Sequence, residues 1–167
     1  MQPAPDKNQF VQLIQENRKI IYKICNSYCV NLDARDDLAQ EIVYNLWKSF
    51  ASYNPDFKFS TWMYRIALNV AISFYRNEHL SKKYVPFSED LLVFEDNMDS
   101  TAESESKLKL LQRFINDLKE IDKSIMLLYL DEKSYKEIAE ITGITETNVA
   151  TKINRIKDKL RANFKTV

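Results

Sequence analysis

The sequence predicts an all-α protein made of two small helical modules, an N-terminal helical bundle and a C-terminal four-helix module. Three observations support this fold class: a single glycine in 167 residues, apolar residues at three- and four-residue spacing, and an acidic segment that separates two such periodic stretches. Glycine supplies the positive φ that tight hairpins and phosphate-binding loops require, so this chain has few places to build them. Apolar residues every three to four positions instead line one face of an α-helix.

Charge is balanced over the whole chain but unevenly distributed along it. The formal net charge is +0, yet residues 88–106 hold seven acidic residues and no basic one. Residues 150–167 hold six basic residues and one acidic residue. This asymmetry favours a polyanionic partner, such as nucleic acid, at the C-terminal end.

Composition also argues against several classes of protein. The only cysteines are Cys25 and Cys29, and the chain has one histidine, so we expect buried thiols rather than a disulfide framework or a zinc site. No Walker loop, nucleotide fingerprint, metal cluster or nucleophile–base set is evident, so we expect no enzyme activity, no cofactor and no metal. No signal pattern or apolar run of about 20 residues occurs, and we expect a cytoplasmic protein without direct membrane insertion.

The first module is predicted to span residues 8–80 and to contain three helices. The first helix covers about residues 10–30, where apolar residues recur at helical spacing. A polar break follows, and Asp36 or Asp37 is expected to cap a second helix that runs to about Phe50. Its apolar residues, four apart along the chain, predict a core-facing stripe.

The third helix follows a loop that contains an Asn-Pro pair, a strong helix breaker. Ser60 or Thr61 is expected to cap this helix, which runs to about Asn77. Beyond it, residues 81–105 are expected to form a flexible acidic linker, because acids dominate there and apolar residues are scattered.

The second module is predicted to span residues 106–167 and to contain a helix-turn-helix. Ser134 and Glu137 have the spacing of a capping box, and Gly143 is expected to stop the helix that they begin. Thr145 is expected to cap the next helix. Helix, glycine turn and helix in this order are typical of a motif that reads DNA.

The last helix is predicted to bury one face and to present the other to a DNA major groove. The expected buried stripe is Val149, Ile153, Ile156 and Leu160. The opposite face carries hydrogen-bonding side chains that suit base edges and phosphates, although such a face is also compatible with simple solvation. The candidate DNA-binding residues of this helix are Thr147, Thr151, Lys152, Asn154 and Arg155.

Three segments resemble motifs of the sigma-70 family of RNA polymerase factors, and they occur in the family's order. Residues 36–47 (DDLAQEIVYNLW) resemble the polymerase-binding helix, and residues 59–76 (FSTWMYRIALNVAISFYR) resemble the promoter −10 helix. Residues 134–160 resemble the −35-reading motif. The short, two-module layout is similar to the extracytoplasmic-function (ECF) group, which implies an alternative sigma factor that binds core RNA polymerase and directs promoter-specific initiation.

The resemblance implies roles for individual residues. The implied core-polymerase-binding residues are Asp37, Gln40, Glu41, Asn45 and Trp47. The implied −10 DNA-binding residues are Lys58, Ser60, Thr61, Arg65, Asn69 and Arg76. The loop before the −10 helix also offers the aromatic rings of Tyr53, Phe57 and Phe59, on which an unstacked base can stack. The sequence departs from the family at Ala150, where a basic residue is common.

Two other functions remain open at this stage. A one-component helix-turn-helix regulator would bind duplex DNA without polymerase, and its N-terminal bundle would sense a ligand or dimerise. A sigma-mimicking interaction protein would bind polymerase without initiating transcription. The resemblance implies three partners: core RNA polymerase, promoter DNA and an anti-sigma factor.

Overall fold

The computed structural model of the chain describes residues 5–81 and 102–165, and all regular structure within these ranges is helical. This confirms the predicted all-α class. One short 3-10 turn, Phe50–Ser52, follows the third helix. The helices are α1 (Lys7–Glu16), α2 (Arg18–Tyr28), α3 (Leu32–Ser49), α4 (Phe59–Ser81), α5 (Ala102–Asp117), α6 (Glu120–Leu130), α7 (Tyr135–Thr142) and α8 (Glu146–Lys165).

The first predicted helix is two helices in the structure, because the backbone turns at Asn17. The Asn17 backbone N–H donates to the carbonyls of Leu13 and Ile14, each at 3.2 Å. Its side-chain amide also donates to the Leu13 carbonyl at 2.9 Å. Asparagine competes in this way with the regular helical hydrogen bonds, so α1 ends and α2 begins at this residue.

The N-terminus of α3 also differs from the prediction. Asn31 is the N-cap, since its side-chain oxygen accepts the backbone N–H of Asp33 at 2.8 Å. The prediction that Asp36 or Asp37 caps this helix is therefore wrong. Both aspartates lie inside the helix, because α3 already begins at Leu32. Its first buried residue is Ala34, one turn earlier than the prediction placed the start of the helix.

Helix α4 begins at Phe59, so the prediction that Ser60 or Thr61 caps it is wrong. The Phe59 side chain is buried, and the backbone N–H of Trp62 already donates to the Lys58 carbonyl at 3.3 Å. Ser60 and Thr61 consequently lie in the first turn, where both are half-buried.

The predicted linker, residues 81–105, is helical at both of its ends. Helix α4 extends to Ser81, four residues beyond the predicted end at Asn77, and α5 already begins at Ala102. The remaining linker residues, 82–101, lie outside the described residues, and so does the prediction of their flexibility.

The predicted helix-turn-helix is confirmed. Gly143 ends α7 in the left-handed conformation, with φ +79°, and its N–H donates to the Ala139 carbonyl at 2.9 Å. Ser134 and Glu137 form the capping box at the start of α7. The Thr145 hydroxyl oxygen accepts the backbone N–H of Asn148 at 3.1 Å, as expected for an N-cap of α8.

The C-terminal module has the four predicted helices, and α8 buries the predicted stripe. Val149, Ile153 and Ile156 are buried, and Leu160 is half-buried. Ile156 belongs to a small core with side chains of α5 and α6, whereas Val149 and Ile153 belong to the main core. The turn and this stripe together fix the position of α8 against the rest of the module.

The main core is shared by the N-terminal and C-terminal helices. Its buried residues include Leu38 and Met63 from α3 and α4, but also Ile125 and Leu128 from α6 and Ile138 from α7. Helix α6 packs against α2 and α4, and α7 packs against α4. The two predicted modules therefore lie against each other rather than standing apart.

A buried lysine lies where α6 meets the N-terminal helices. Lys123 is 2% exposed, and its ammonium donates to the Ser27 carbonyl at 2.9 Å. The same ammonium lies 5.0 Å from the ring centre of Tyr28 and 5.2 Å from that of Tyr75. Burial lowers the pKa of Lys123 to about 8, although the nearby acids Asp117 and Glu120 oppose the shift.

We expect the free energy of unfolding to rise with pH between about 8 and 10 because of Lys123. An unfolded lysine has a pKa near 10.4, so in this range the unfolded chain binds more protons than the folded chain. Lys123→Met should remove up to about 1.4 kcal/mol per pH unit from this slope, as measured by urea unfolding at several pH values. The exposed Lys136→Met is the matched control, and an unchanged slope in Lys123→Met would contradict the expectation.

Candidate nucleic-acid and polymerase interfaces

The outer face of α8 presents most of the predicted −35 residues to solvent. Thr147, Thr151, Asn154 and Arg155 are all exposed. The Thr151 hydroxyl donates to the Thr147 carbonyl at 3.0 Å, which leaves its oxygen lone pairs to accept a further hydrogen bond. Amide, hydroxyl and guanidinium groups therefore lie together on one helix face that can enter a major groove.

Lys152 does not join this outward-facing set. It is half-buried, and its ammonium donates to an Asp122 carboxylate oxygen of α6 at 3.1 Å. The pair ties α8 to α6, because Asp122 lies in the first turn of that helix. In this arrangement Lys152 positions the recognition helix.

The loop between α3 and α4 is held rigid by its own hydrogen bonds. The Tyr53 hydroxyl donates to the Phe57 carbonyl at 2.9 Å, and the Asn54 side-chain oxygen accepts the Asp56 N–H at 3.0 Å. The Phe57 side chain is 68% exposed, whereas Phe59 is buried with its ring 5.4 Å from Tyr53. Of the three predicted loop aromatics, Phe57 thus offers an open ring.

The predicted −10 residues of α4 fall into two groups. Arg65 and Asn69 are exposed and lie one turn apart on the same face of the helix. Arg76, two turns further along, forms an ion pair with Glu120 of α6, with Nε 2.9 Å from a carboxylate oxygen.

Two other predicted −10 residues also contact the C-terminal module. Lys58, just before α4, lies with its ammonium 3.3 Å from a Glu137 oxygen of α7. The ammonium of Lys133 donates to the Ser60 hydroxyl at 3.2 Å. Thr61, the last of the set, is half-buried in the first turn of α4.

The predicted polymerase-binding residues lie along α3. Asp37, Gln40 and Glu41 are exposed, and the half-buried Asn45 donates its side-chain amide to the Glu41 carbonyl at 2.8 Å. Trp47 is 36% exposed, so part of its indole packs inside the protein and part faces solvent.

An apolar groove of about 720 Å³ lies beside this face, between α1 and α3. The Trp47 ring forms one wall and packs edge-on against Phe10, with ring centres 5.1 Å apart. Tyr44, which is 63% exposed, is also in the wall. The lining residues are Lys7, Phe10, Val11, Ala39, Gln40, Val43, Tyr44 and Trp47. A groove that combines exposed aromatic rings with a few polar groups suits an apolar partner segment.

The two cysteines are buried side chains of the N-terminal core, as expected. Burial raises the pKa of the Cys25 thiol to about 12, which keeps the thiol protonated and unreactive. Among the described residues, no group of three or more histidine, cysteine or acidic side chains is arranged to hold a metal ion. Within the same ranges, no helix combines the length and apolar character of a membrane span.

The capped α7, the glycine turn and the exposed polar face of α8 are the geometry of a helix-turn-helix protein. Comparison with known proteins then identifies the family. The sigma-70 region 2 model matches residues 13–80, and the sigma-70 region 4 model matches residues 108–160. Together the two matches cover well over half of the chain, which belongs to the sigma-70 family and is an alternative sigma factor of the ECF group.

A sequence relative supports the same assignment, and two solved structures share the fold. The chain is 27% identical over 170 residues to the ECF RNA polymerase sigma factor SigW of Bacillus subtilis, covering 96% of this chain and 91% of SigW. The fold is similar to that of CnrH in complex with the cytosolic domain of CnrY, with a TM-score of 0.69, 20% identity and coverage of 96% and 90%. It is equally similar, at TM-score 0.69 and 18% identity, to the sigma factor RpoE of Bartonella quintana in complex with the anti-sigma factor NepR, covering 94% of this chain and 97% of RpoE.

The residues that join the two modules were not predicted from the sequence. Lys123 lies in the polar first half of α6, between Asp122 and Ser124, so no local pattern in the sequence indicates its burial. Asp131 accepts hydrogen bonds from Lys23 at 2.9 Å and from the Tyr64 hydroxyl at 2.7 Å, and nothing in the sequence near it indicates either partner.

Proposed function

We propose that this chain docks on core RNA polymerase through α3, reads −35 duplex through α8, and holds the −10 strand with α4 and the loop before it. The observation that carries the proposal is the exposed polar face of α8, held by a capped helix and a left-handed glycine turn. A DNA-reading helix must be fixed on one side and open on the other, and α8 meets both conditions.

The −35 contact is assigned to the exposed part of the predicted set. Arg155 and Asn154 have the chemistry for bidentate hydrogen bonds with guanine and adenine, respectively. The basic residues toward the C-terminal end of α8, such as Lys159, suit phosphate contacts. Ala150 has no polar side chain, so the −35 sequence that this chain reads differs from one read with a basic residue there.

The −10 contact is assigned to Asn69, Arg65 and the exposed ring of Phe57. Unpaired bases need a surface that replaces the lost stacking, and an aromatic ring on a rigid loop supplies about 1–3 kcal/mol per base. The Tyr53 hydrogen bond to the Phe57 carbonyl holds the loop in place before DNA arrives. An ordered loop loses less conformational entropy on binding.

The core-polymerase contact is assigned to the exposed polar residues of α3 together with the adjoining groove. Asp37, Gln40 and Glu41 provide polar contacts at the rim, whereas Trp47 and Tyr44 provide exposed aromatic area. This combination of an aromatic centre and a polar rim is typical of protein interfaces. The α3 face shares no residue with the proposed DNA-binding sets, which fits a sigma factor that binds polymerase and promoter DNA together.

Three further expectations belong to this proposal. Sigma factors are not enzymes, and we propose that this chain has no catalytic activity of its own and leaves RNA synthesis to the polymerase. A cytoplasmic location follows from that partner. An anti-sigma factor is proposed as a third partner, because a sigma factor of similar fold has been solved in complex with one.

The proposal predicts promoter-specific initiation when the purified chain is added to core RNA polymerase and genomic DNA. Mapping of transcript 5′ ends should give a defined set of start sites with shared −10 and −35 elements. Polymerase binding without initiation would indicate a sigma-mimicking protein instead. Tight duplex binding without polymerase, together with no initiation, would indicate a one-component regulator.

Arg155→Ala should weaken initiation at the promoters found in this way by the loss of one base or phosphate contact, about 1–3 kcal/mol. Binding to core polymerase should be unchanged, because Arg155 lies on the exposed face of α8. Arg18→Ala, which removes an exposed arginine of α2 outside the helix-turn-helix, is the matched control. If wild type and Arg155→Ala initiate equally well on promoters with altered −35 bases, the assignment of Arg155 to the −35 contact is contradicted.

Asn69→Ala should change which −10 bases are preferred and leave the midpoint of thermal unfolding nearly unchanged. The reason is that the Asn69 side chain is exposed, so its loss leaves the core intact. Initiation on a panel of single-base −10 variants checks the first expectation, and a thermal melt checks the second. A large drop in melting temperature would mean that Asn69 has a structural role.

A further inference from the structure

Lys152 lies on the border between the buried face and the exposed face of α8. Its neighbours on the helix surface are Val149 and Ile156, which are buried, and Asn148 and Arg155, which are exposed. The flexible four-carbon stem of a lysine lets an ammonium at such a border turn either to DNA or back to the protein. The direction that Lys152 takes therefore decides whether it adds a cation to the DNA contacts of α8.

In the structure the Lys152 ammonium turns back to α6. It lies 3.1 Å from a carboxylate oxygen of Asp122, and the two side chains are 37% and 19% exposed, respectively. Asp122 lies in the first turn of α6, where the helix dipole favours an acid, and the next two residues, Lys123 and Ser124, are buried. The carboxylate is therefore carried by a fixed element, and salt screens a partly buried pair of this kind less than an open surface pair.

A second lysine of α8 is held by α6 at the other border of the exposed face. Lys157 is half-buried, and its neighbours on the helix surface include the buried Ile153 and the exposed Asn154. Its ammonium lies 4.6 Å from the ring centre of Tyr129 of α6, within the range of a cation–π contact. The two borders of the recognition helix are therefore both tied to the same neighbouring helix.

The exposed face between these borders carries groups that read bases only in a fixed orientation. Asn154 and Arg155 form paired hydrogen bonds with base edges, and such bonds require both the distance and the angle to be correct. A lysine ammonium is a point charge that a phosphate accepts from many directions. A free lysine beside this face would therefore strengthen binding to any DNA without improving the choice of bases.

We infer that Asp122 is a specificity-determining positioning residue: it withholds the Lys152 ammonium from DNA phosphates and fixes the orientation in which α8 meets the −35 bases. The inference rests on the proposed function, because it requires α8 to read −35 duplex. Asp122 acts through Lys152 and does not contact DNA itself. The pair stays intact when DNA binds, so Lys152 adds no phosphate contact to the complex.

The salt dependence of promoter binding tests whether Lys152 is withheld. The full-length chain, assembled with core RNA polymerase, is titrated with duplex promoter fragments at several KCl concentrations. The logarithm of the binding constant falls with the logarithm of the salt concentration by about 0.9 per phosphate contact. Lys152→Met should leave this slope unchanged, whereas Asp122→Ala should steepen it by about 0.9, because the freed lysine gains a phosphate. A shallower slope in Lys152→Met, or an unchanged slope in Asp122→Ala, would overturn the inference.

Two further variants separate the release of Lys152 from a change in net charge. Glu140→Ala removes an exposed acid of α7 that forms no ion pair among the described residues, so its slope should match wild type. The double variant Asp122→Ala/Lys152→Met should also return to the wild-type slope, because no released lysine remains. A double variant as steep as Asp122→Ala would show that the added contact is not made by Lys152. A misfolded module would bind all DNA less tightly, which is the opposite of the result expected for Asp122→Ala.

Discrimination between −35 sequences tests the orienting role of the pair. The readout is the ratio of the affinities of the polymerase complex for a mapped promoter and for the same fragment with a scrambled −35 element. Asp122→Ala and Lys152→Met should each lower this ratio about fivefold, because both lose the pair that orients α8. Lys152→Arg should keep the wild-type ratio, since a guanidinium also pairs with a carboxylate. Unchanged ratios in the two unpaired variants, or a lowered ratio in Lys152→Arg, would contradict the positioning role.

The same measurements distinguish a failure of this inference from a failure of the proposed function. A wild-type complex that does not initiate, or that binds the mapped and scrambled −35 elements equally, would contradict the proposed function. A wild-type complex that initiates and discriminates, while Asp122→Ala behaves like Glu140→Ala, would overturn the role of Asp122 alone.

Discussion

The packing of α6 is the constraint on which the rest of the structure depends. Its fully buried residues, Ile125 and Leu128, belong to the core that the N-terminal helices also build, whereas Met126 belongs to the smaller core beneath α5 and α8. One helix of eleven residues therefore serves two cores at once. Because α6 also carries Asp122, which pairs with Lys152, the position of the recognition helix depends on the same element.

The interface between the modules is apolar at its centre and ionic at its edges. Such an interface associates through burial of apolar surface, and its charges chiefly set register and specificity. The exception is Lys123, a cation inside the interface that is partly compensated by a carbonyl and two aromatic rings. A charge placed there makes this contact weaker than an all-apolar contact of the same area.

The recognition helix α8 has to pack against the core on one face and stay exposed on the other. Val149 and Ile153 are fully buried, whereas Thr151 between them and Asn154 and Arg155 just after them are exposed. The 3.6-residue period of a helix separates these two sets onto opposite faces. The single glycine of the chain, Gly143, ends α7 three residues before this helix begins, where φ is +79° and a side chain would be strained.

By itself the sequence determined the helix-turn-helix, because its signals are local. The cap at Ser134, the left-handed turn at Gly143 and the cap at Thr145 each depend on residues within three or four positions. The same kind of local reasoning was wrong at Asn17 and at Asn31, where several polar residues compete for one backbone position. At these two positions the helix boundary depends on which apolar neighbours the core buries. The few residues on either side of the boundary do not contain that information.

Only the tertiary structure decided how the two modules meet and which proposed DNA-binding residues are already engaged. The partners of Arg76, Lys58 and Lys23 lie 44, 79 and 108 residues further along the chain. Periodicity indicates that a face is apolar or charged but not which distant face will cover it. That choice follows from the complementarity of two finished surfaces, and those surfaces exist only once the helices have packed.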